Sequence, residues 1–181
     1  MHSEMDYENI LRSPIRPLGN GSFGIVYLAY HIEMGIVAVK IIQKNKYDKQ
    51  DREWESALQI TNKKHQFPFI LKYIRYDYFC SCNLITMEYA NVKTLNIIAK
   101  QPHVPLPSYT LRALMKQILV GVSEIHNVKL IHRDIKCDNI LLHSPPGSGR
   151  VYVKISDFGL AKKEDFSNEQ TYLAGTIPYW V

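Results

Sequence analysis

The polar segment at residues 132–139, His-Arg-Asp-Ile-Lys-Cys-Asp-Asn, holds several side chains suited to chemistry. A chance match to its His, Arg, Asp, Lys and Asn has a probability on the order of 10⁻⁷ per position at average composition. Asp134 can orient a hydroxyl group and accept its proton, and Lys136 can neutralise a phosphoryl group during transfer. The side-chain oxygen of Asn139 is a hard ligand that suits Mg²⁺. These residue types at this spacing predict phosphoryl-transfer chemistry.

A second motif, Asp157-Phe158-Gly159, lies further along the chain and supplies a carboxylate as another ligand for Mg²⁺. Either motif alone is compatible with an ordinary polar loop. Their joint occurrence, in this order and behind the glycine-rich loop and the lysine described below, favours one shared site. Asn139 and Asp157 are therefore the predicted metal ligands.

Glycines recur at residues 19–26, which read Gly-Asn-Gly-Ser-Phe-Gly-Ile-Val. Glycines at this spacing let backbone N–H groups approach phosphate oxygens. The pattern alone also fits a dinucleotide-binding turn or an ordinary hairpin. A dinucleotide site needs a helix directly after the glycines, whereas the β-branched and aromatic run at residues 25–29 predicts a strand. We therefore expect a hairpin that covers phosphates.

The segment Val37-Ala38-Val39-Lys40 places a lysine on a predicted strand. Alternation along a strand puts Ala38 and Lys40 on one face, and Val37, Val39 and Ile41 on the other. Lys40 can then reach phosphate groups, or it can lie in water on an edge strand.

A buried Lys40 requires a carboxylate partner, for which Glu53 and Glu55 on a predicted helix over residues 51–62 are the candidates. Glu53 shares a face with Ala57 and Ile60, whereas Glu55 shares a polar face with Gln59 and Asn62. Glu53 is the preferred partner.

The elements that must position these residues change in type along the chain. The first half predicts short strands at residues 15–18, 25–29, 36–42, 70–78 and 84–89. The second half predicts a helix over residues 111–125, for which Ser108 or Thr110 is a candidate cap, and then a hairpin from residues 140–142 to 151–155. The predicted apolar stripe of that helix is Leu111, Leu114, Met115, Ile118, Leu119, Val122 and Ile125. A β-rich half followed by a helical half predicts two lobes.

The composition of the 181-residue chain, 46% hydrophobic and 22% charged, is that of an ordinary globular protein. The net charge is +5, but basic and acidic residues are interleaved, which favours a solvated surface over a nucleic-acid-binding face. We expect no membrane span and no signal peptide. Cys80, Cys82 and Cys137 have no metal-ligand spacing, and as reduced thiols they predict a cytosolic or nuclear location. The oligomeric state is left open.

Together these motifs resemble the eukaryotic-type protein kinase family, and the resemblance runs from about Tyr7 to Val181. Lys136, in place of the Ala-Ala-Arg pattern of tyrosine kinases, is similar to the serine/threonine branch. The resemblance implies an α+β, two-lobed fold with a five-stranded antiparallel N-lobe that carries one helix, and a partial, mainly helical C-lobe. The implied boundaries are residues 7–87 for the N-lobe, 88–92 for the hinge and 93–181 for the C-lobe.

The resemblance also implies a role for each matching residue. The implied cofactors are ATP and Mg²⁺, and the implied partner is a protein substrate with a serine or threonine hydroxyl group. Met87 resembles the gatekeeper, and Glu88 and Ala90 resemble the hinge residues that bind adenine through their backbone. The implied catalytic residues are Asp134, Lys136, Lys40 and Glu53. The implied nucleotide-binding residues are Leu18, Gly19, Asn20, Gly21, Ser22, Phe23, Gly24, Val26, Ala38, Lys40, Met87, Glu88, Ala90, Leu141 and Asp157, and Asn139 and Asp157 hold the metal.

Residues 159–175 resemble an activation segment, with Thr171 as the candidate phosphorylation site and Ser167 and Tyr172 as alternatives. Arg133, beside Asp134, is then placed to bind the phosphate. An ordinary polar loop with incidental hydroxyl groups is the other interpretation.

Two departures from the family pattern stand out. The spacing from Lys40 through Glu53 to Pro68 predicts either a helix register shifted toward Glu55 or a small insertion at residues 61–67. The sequence printed here stops at Val181, where the family continues through further helices. Two functions are therefore considered: an ATP-dependent serine/threonine kinase, or a catalytically impaired nucleotide-binding module or kinase fragment that acts by binding a partner. The presence of Lys40, Asp134, Asn139 and Asp157 together favours the kinase.

Overall fold

The structure, a computed structural model, describes residues 14–21, 24–43, 52–61, 67–78, 82–101, 103 and 105–163. Predictions that concern Ser22, Phe23, Cys80, Ser167, Thr171 and Tyr172 lie outside these residues. The strands are β1 (Pro14–Gly21), β2 (Gly24–His31), β3 (Gly35–Gln43), β4 (Tyr73–Tyr78), β5 (Cys82–Glu88), β6 (Leu130–Ile131), β7 (Ile140–His143), β8 (Tyr152–Ile155) and β9 (Lys162–Lys163). The helices are α1 (Arg52–Thr61), α2 (Asn96–Ala99), α3 (Ser108–Asn127) and a 3₁₀ turn at Cys137–Asn139.

The described residues divide into two compact units. The first lies within Met1–Gln50 and Lys72–Tyr89, and the second lies within Asp51–Leu71 and Ala90–Val181. The division between Tyr89 and Ala90 falls inside the predicted hinge. Helix α1, which the sequence analysis assigned to the N-lobe, groups with the second unit, and the lobe boundaries stay a prediction.

The first unit is an antiparallel sheet of five strands in the order β1-β2-β3-β5-β4. The strand β3 lies at its centre, where Val37 pairs with Ala29 of β2 and with Glu88 of β5. The register of β1 against β2 shifts between Pro14 and Arg16 and again between Pro17 and Gly19. The α+β class and the five-stranded antiparallel sheet are confirmed.

The two faces of this sheet carry different residues, as the alternation along β3 predicts. Val37 and Val39 are buried in an apolar cluster with Ala29, Cys82 and Leu84. Residues that pair directly across antiparallel strands share a face. Since Lys40 pairs with Val26 and Ala38 pairs with Met87, these four residues share the opposite face. The predicted separation of Ala38 and Lys40 from Val37 and Val39 is confirmed.

The predicted strand over residues 70–78 is too long at its beginning. The strand β4 starts at Tyr73, and the preceding residues pair instead with β8 of the second unit. The N–H of Leu71 donates to the carbonyl of Ile155 over 2.8 Å, and the N–H of Ile155 donates to the carbonyl of Phe69 over 2.9 Å. The apolar run is therefore divided between two sheets. The sequence does not predict this division, because the periodicity of apolar residues does not show with which strand each residue forms its backbone hydrogen bonds.

The helix α3 begins earlier than predicted, and the predicted caps are wrong. Pro107 occupies the cap position in an extended conformation with ψ of 137° and makes no side-chain cap. Its carbonyl accepts the N–H groups of Thr110 and Leu111 at 2.9 and 3.1 Å. Proline suits a helix start because its fixed φ is already helical and it brings no N–H that needs a partner.

Only part of the predicted apolar stripe of α3 is buried. Leu114, Gly121 and Ile125 are buried, whereas Leu119 is 62% exposed and Leu111 and Met115 are also exposed. A Cβ at Gly121 would lie 2.8 Å from Cδ1 of Ile155, so this glycine lets α3 pack close to β8. No helix in the described part of the chain is long and apolar enough to span a bilayer.

Candidate active site

The residues 132–139, here called the catalytic loop, connect two short strands of the second unit. The loop leaves β6 after Ile131 and enters β7 at Ile140 through the 3₁₀ turn at Cys137–Asn139. Arg133 has φ of 64°, which lies in the left-handed region that a side chain other than glycine rarely adopts. Strained residues of this kind persist where the surrounding contacts fix them. The loop is thus held in a conformation that its sequence alone does not favour.

His132 anchors the beginning of the loop to the start of the Asp-Phe-Gly motif. It is buried, its Nε2 lies 3.0 Å from the carbonyl oxygen of Ser156, and its Nδ1 accepts the N–H of Asp134 over 3.3 Å. A carbonyl oxygen can only accept and a backbone N–H can only donate, so the ring carries its proton on Nε2 and is neutral. The ring of Phe158 lies 5.0 Å away and is fully buried. His132 therefore connects the two motifs.

Burial lowers the pKa of His132 below its ordinary value, because desolvation disfavours the charged imidazolium. The hydrogen bond to Ser156 and the carboxylates of Asp157 and Asp134 act in the opposite direction. The lowered pKa agrees with the neutral form that the hydrogen bonds require.

Asp134 is held in place by two other residues of the catalytic loop. The side-chain Nδ2 of Asn139 donates to the backbone carbonyl of Asp134 over 2.9 Å and to its Oδ2 over 2.8 Å. The ammonium of Lys136 lies 2.9 Å from the same Oδ2. Because both Asp134 and Asn139 are buried, these charge-assisted contacts fix the direction of the carboxylate. The structure thus brings Asp134 and Lys136, which the sequence assigned to proton and phosphoryl transfer, together with the predicted metal ligand Asn139.

Asp157 lies near Asn139 because the two residues flank the open end of the hairpin of β7 and β8, where Ile140 pairs with Ile155. Ser156, which precedes Asp157, donates its N–H and its hydroxyl group to the carbonyl of Asn139 at 2.9 and 3.0 Å. Asp157 itself has φ of 66°, and its Oδ1 accepts the N–H of Gly159 over 3.4 Å. The two predicted metal ligands therefore come from adjacent backbone positions at one end of a hairpin.

The donor atoms at this hairpin end fit Mg²⁺. The two hydrogen bonds that anchor the Asn139 side chain both use Nδ2, which orients Oδ1 of the same amide on the other side. Asp157 adds a carboxylate. In the described part of the chain no group of three or more His, Cys, Asp or Glu residues is clustered as a complete metal cage. Mg²⁺ is usually held by one or two protein oxygens together with water and substrate phosphates, so a two-ligand site suits it.

Arg133 contacts the residues that follow the Asp-Phe-Gly motif. Its Nε donates to the carbonyl of Leu160 over 2.7 Å. The strand β9 then pairs with β6, with Leu130 opposite Lys163 and Ile131 opposite Lys162. The beginning of the catalytic loop, together with β6, thus contacts the first residues of the predicted activation segment. The candidate phosphorylation sites lie further along the chain, outside the described residues.

In the first unit, Lys40 lies at the centre of the sheet. It is only 6% exposed and lies between Val26 of β2 and Ile85 of β5, so the alternative of an edge-strand lysine in water is wrong. Buried lysines require electrostatic partners because desolvation of an ammonium is costly.

Gly24, the last glycine of the glycine-rich loop, lies where the sheet leaves no space for a side chain. Its φ is 140°, and a Cβ there would lie 2.2 Å from the carbonyl oxygen of Ile41. At Gly19, a Cβ would meet no atom within 4 Å. Close backbone packing therefore explains why residue 24 is a glycine, whereas packing does not explain the glycine at residue 19.

The two candidate partners of Lys40 differ in exposure on α1. Glu53 is 5% exposed, whereas Glu55 is exposed. The helix ends at Thr61, whose hydroxyl donates to the carbonyl of Ala57 over 2.7 Å. The burial of Glu53 supports the preferred register, and its role as the partner of Lys40 stays a prediction.

Comparison with known proteins decides the family. The profile described as protein kinase domain matches residues 13–181. The chain belongs to the protein kinase family. This confirms the resemblance on which the sequence analysis rested.

Relatives of this kinase-family chain include several proteins named as kinases. It is 32% identical over 172 residues to a probable serine/threonine-protein kinase, fnkE, of Dictyostelium discoideum, a match that covers 90% of this chain and 13% of the relative. It is 31% identical to the serine/threonine-protein kinase cst-1 of Caenorhabditis briggsae, which covers 91% of this chain and 32% of the relative. The carbon catabolite-derepressing protein kinase of Candida glabrata is 35% identical over 151 residues, which cover 81% of this chain and 23% of the relative. The chain therefore spans less than a third of the length of these relatives.

The predicted adenine-binding residues of this kinase-family chain lie on both units. Leu18, Val26, Ala38, Met87 and Glu88 belong to the first unit, and Ala90 and Leu141 belong to the second. The N–H of Glu88 donates to the carbonyl of Lys72 over 3.0 Å, and its Oε1 accepts the N–H of Lys72 over 2.9 Å. The N–H of Glu88 is therefore already hydrogen-bonded within the first unit.

Sequence reasoning overlooked the contacts that connect the motifs. The sequence presents His132 only as part of a motif and assigns no role to Ser156. The close spacing of His132 to Asp134, and the place of Ser156 directly before Asp157, are the sequence signals available. Neither signal predicts that His132 would contact the carbonyl of Ser156, because that contact depends on how β7 and β8 pair.

Proposed function

We propose that this chain carries the catalytic centre of an ATP-dependent kinase that transfers the γ-phosphate of ATP to serine or threonine hydroxyl groups of proteins. The observation that carries the proposal is the carboxylate of Asp134, whose Oδ2 is held by Asn139 at 2.8 Å and by Lys136 at 2.9 Å. A carboxylate fixed in this way is suited to orient a hydroxyl nucleophile.

In the proposed reaction, Asp134 accepts a hydrogen bond from the substrate hydroxyl and takes its proton as the phosphoryl group moves. The hydroxyl oxygen forms a bond to the γ-phosphorus, and the bond from that phosphorus to the bridging oxygen of ADP breaks. The ammonium of Lys136, already beside the Asp134 carboxylate, is placed to balance the negative charge of the transferring phosphoryl group.

Asn139 and Asp157 are the residues we propose to hold Mg²⁺. When bound, Mg²⁺ neutralises charge on the phosphates of the nucleotide. The hydrogen bonds between Asn139 and Asp134 orient the amide group, and the pairing of Ser156 with Asn139 keeps Asp157 next to it. The same contacts thus serve the proposed base and the proposed ligands.

The residues of the first unit are proposed to bind ATP. Val26, Ala38 and Met87 give one face of the sheet an apolar surface for adenine, and Lys40 on the same face binds the α- and β-phosphates. We propose Glu53 as the partner of Lys40, since both side chains are charged and buried. Leu18, Gly19, Asn20, Gly21, Ser22, Phe23, Gly24, Glu88, Ala90 and Leu141 complete the proposed nucleotide-binding set.

The preference for serine or threonine is supported by Lys136 and by the names of the relatives, two of which are called serine/threonine-protein kinases. A protein substrate follows from that preference. The free thiol of Cys137 fits a reducing compartment, and we propose a location in the cytoplasm or the nucleus.

Thermal unfolding with and without Mg-ATP tests the nucleotide-binding part of the proposal. A ligand that binds only the folded state at about 100 times its dissociation constant adds about 2.7 kcal/mol of stability. We expect a cooperative transition that rises in temperature with Mg-ATP. A transition that nucleotide does not move would contradict nucleotide binding by this chain.

Phosphoryl transfer to a generic protein substrate with radiolabelled ATP then tests the chemistry, with phosphoamino-acid analysis of the product. Label on serine or threonine supports the proposal, and label on tyrosine alone would refute the assigned preference.

Lys40→Met is expected to lower turnover by weakening productive placement of ATP. Unchanged turnover in this variant would remove Lys40 from the site.

A further inference from the structure

The residues 91–96, which follow the end of the first unit, form a third strand-like segment along β7 within the second unit. Thr94 and Leu141 form an antiparallel bridge. Backbone hydrogen bonds join Val92 N–H to the Leu142 carbonyl at 3.0 Å, Leu142 N–H to the Lys93 carbonyl at 2.8 Å, and Leu95 N–H to the Ile140 carbonyl at 2.7 Å. The segment therefore runs antiparallel to β7, the strand that leads directly out of the catalytic loop.

An asparagine side chain extends this pairing at each end. At one end the Nδ2 of Asn91 donates to the carbonyl of Ser144, and its Oδ1 accepts the N–H of Ser144, both over 2.8 Å. At the other end the Nδ2 of Asn96, the first residue of α2, donates to the Oδ1 of Asp138. The two ends differ in what they hold. Asn91 holds the exit of β7, whereas Asn96 holds a side chain of the catalytic loop itself.

Asp138 directly precedes the proposed metal ligand Asn139 in the 3₁₀ turn at Cys137–Asn139. The N–H of Asn139 closes that turn by donating to the carbonyl of Lys136 over 3.0 Å. A short turn of this type contains few hydrogen bonds of its own, so a contact to its central side chain has a large share in fixing its orientation. The Asn96–Asp138 contact therefore acts on the backbone turn that carries Asn139, whose side chain is oriented by its own hydrogen bonds to Asp134.

From this arrangement we propose that Asn96 is a positioning residue, which acts through Asp138 to hold Asn139 in the orientation that binds Mg²⁺. The inference rests on the proposed function and extends it to a residue on α2, outside the motifs. Replacement of a residue that orients a metal ligand lowers the metal affinity, although that residue does not contact the metal itself.

The solvent exposure of Asn96 and Asp138 distinguishes a role in positioning Asn139 from a role in stabilising the whole fold. Asp138 is exposed and Asn96 is only partly buried, so the contact encloses little apolar surface. Loss of an exposed hydrogen bond has a small effect on the stability of the whole fold. The effect on Asn139 is local and direct, since Asn139 is its neighbour in the chain. We therefore expect the metal dependence to change while the unfolding temperature stays nearly the same.

The experiment uses an exchange of the two side chains. Asn96→Asp removes the donor and places two carboxylates against each other, whereas the double variant Asn96→Asp with Asp138→Asn restores one donor and one acceptor in reversed order. Asn127 is an exposed residue at the end of α3, outside residues 91–96 and 132–139, and Asn127→Asp makes the same chemical change there as the matched control. Binding of a fluorescent ATP analogue is titrated with Mg²⁺ for each protein, alongside a titration in EDTA.

We expect Asn96→Asp to raise the Mg²⁺ concentration at half-maximal binding by about threefold to tenfold. Binding in EDTA, the unfolding temperature and the Asn127→Asp control should match the wild type, and the double variant should recover most of the loss. A Mg²⁺ dependence of Asn96→Asp equal to that of the wild type would overturn the inference, as would a double variant no better than the single one. If Asn96→Asp does not fold, Asn96→Ala removes the donor without adding charge and carries the same expectation.

The wild-type titration separates this inference from the proposed function. A wild-type protein that binds the analogue with no dependence on Mg²⁺ would overturn the proposed metal site, and the inference with it. A wild type that responds to Mg²⁺ while all Asn96 variants respond identically would leave the proposed function intact and overturn only the role of Asn96.

Discussion

Lys40 in the sheet of the first unit and Asp134 in the catalytic loop of the second are both buried charged residues, but different forces orient them. The direction of Lys40 follows from alternation along β3 and from the pairing of β3 with both neighbours. The direction of Asp134 follows from two side chains, Asn139 and Lys136, and from a loop backbone with a left-handed residue at Arg133. Regular hydrogen bonding thus fixes one residue and specific side-chain contacts fix the other, so the two regions should respond differently to substitution.

The largest expected effect is in the catalytic loop, with Asp134→Asn. An amide at this position cannot accept the substrate proton, so phosphoryl transfer should fall by about 10²–10⁴-fold, the range typical for loss of a general base. The amide retains an oxygen that can accept from Asn139 and Lys136, so the loop should keep its fold. Transfer of label from ATP measures the first effect and titration with Mg-ATP measures nucleotide binding. A variant that keeps full transfer would show that Asp134 is not the base.

In the sheet, the corresponding test concerns backbone space, with Gly24→Ala. The added Cβ would overlap the carbonyl oxygen of Ile41, and φ of 140° is strained for alanine, so we expect a loss of about 2–4 kcal/mol in the free energy of unfolding.

Gly19→Ala is the matched control for Gly24→Ala, since its Cβ meets nothing within 4 Å. It should lose less than about 1 kcal/mol. Denaturant unfolding of both variants measures the difference. Equal losses would mean that the sheet does not distinguish the two glycines.

A third prediction compares two carboxylates on α1. Glu53→Gln removes a buried charge and should lower phosphoryl transfer by about tenfold to a hundredfold, because hydrogen bonds to charged groups contribute about 1.5–3 kcal/mol. Glu55→Gln makes the same change at an exposed position and should have little effect. Initial rates at saturating Mg-ATP provide the measurement. The reverse outcome, with Glu55 the sensitive residue, would restore the shifted register as the correct interpretation.

The smallest expected effect is on the pH dependence of the free energy of unfolding, through His132, which connects the two motifs. Burial holds the pKa of His132 below its ordinary value of 6.5, so the unfolded chain binds the proton more readily than the folded protein does. The stability that neutral His132 provides is fully present above pH of about 6.5 and is lost as the pH falls from there through the lower pKa of the folded state. One proton can contribute a slope of at most about 1.4 kcal/mol per pH unit.

Chemical unfolding across pH 5–8 in the wild type and in His132→Gln isolates the contribution of His132. The wild type should lose more stability than the variant toward pH 5. Parallel curves for the two proteins would contradict a buried neutral histidine.

The sequence was most informative where one local rule governs the structure. The alternation at residues 37–41 predicted both faces of β3, because successive side chains of a strand point to opposite sides. It was less informative for α3, where the period marked seven apolar positions but the structure buries Leu114 and Ile125 and exposes Leu119. A period identifies an apolar face, whereas burial depends on which part of that face has a partner.

Residue identity alone determined much of the chemistry of this protein: a carboxylate, an ammonium, an amide and a second carboxylate in two motifs, and membership of the protein kinase family. Tertiary structure decided how these groups are connected. The contacts from His132 to Ser156, from Asn139 to Asp134 and from Asn96 to Asp138 join residues that are separated in the chain or lie on a strained loop. Such contacts depend on the tertiary arrangement, in which β7 pairs with β8 on one side and with residues 91–96 on the other, because backbone pairing brings side chains within hydrogen-bonding distance.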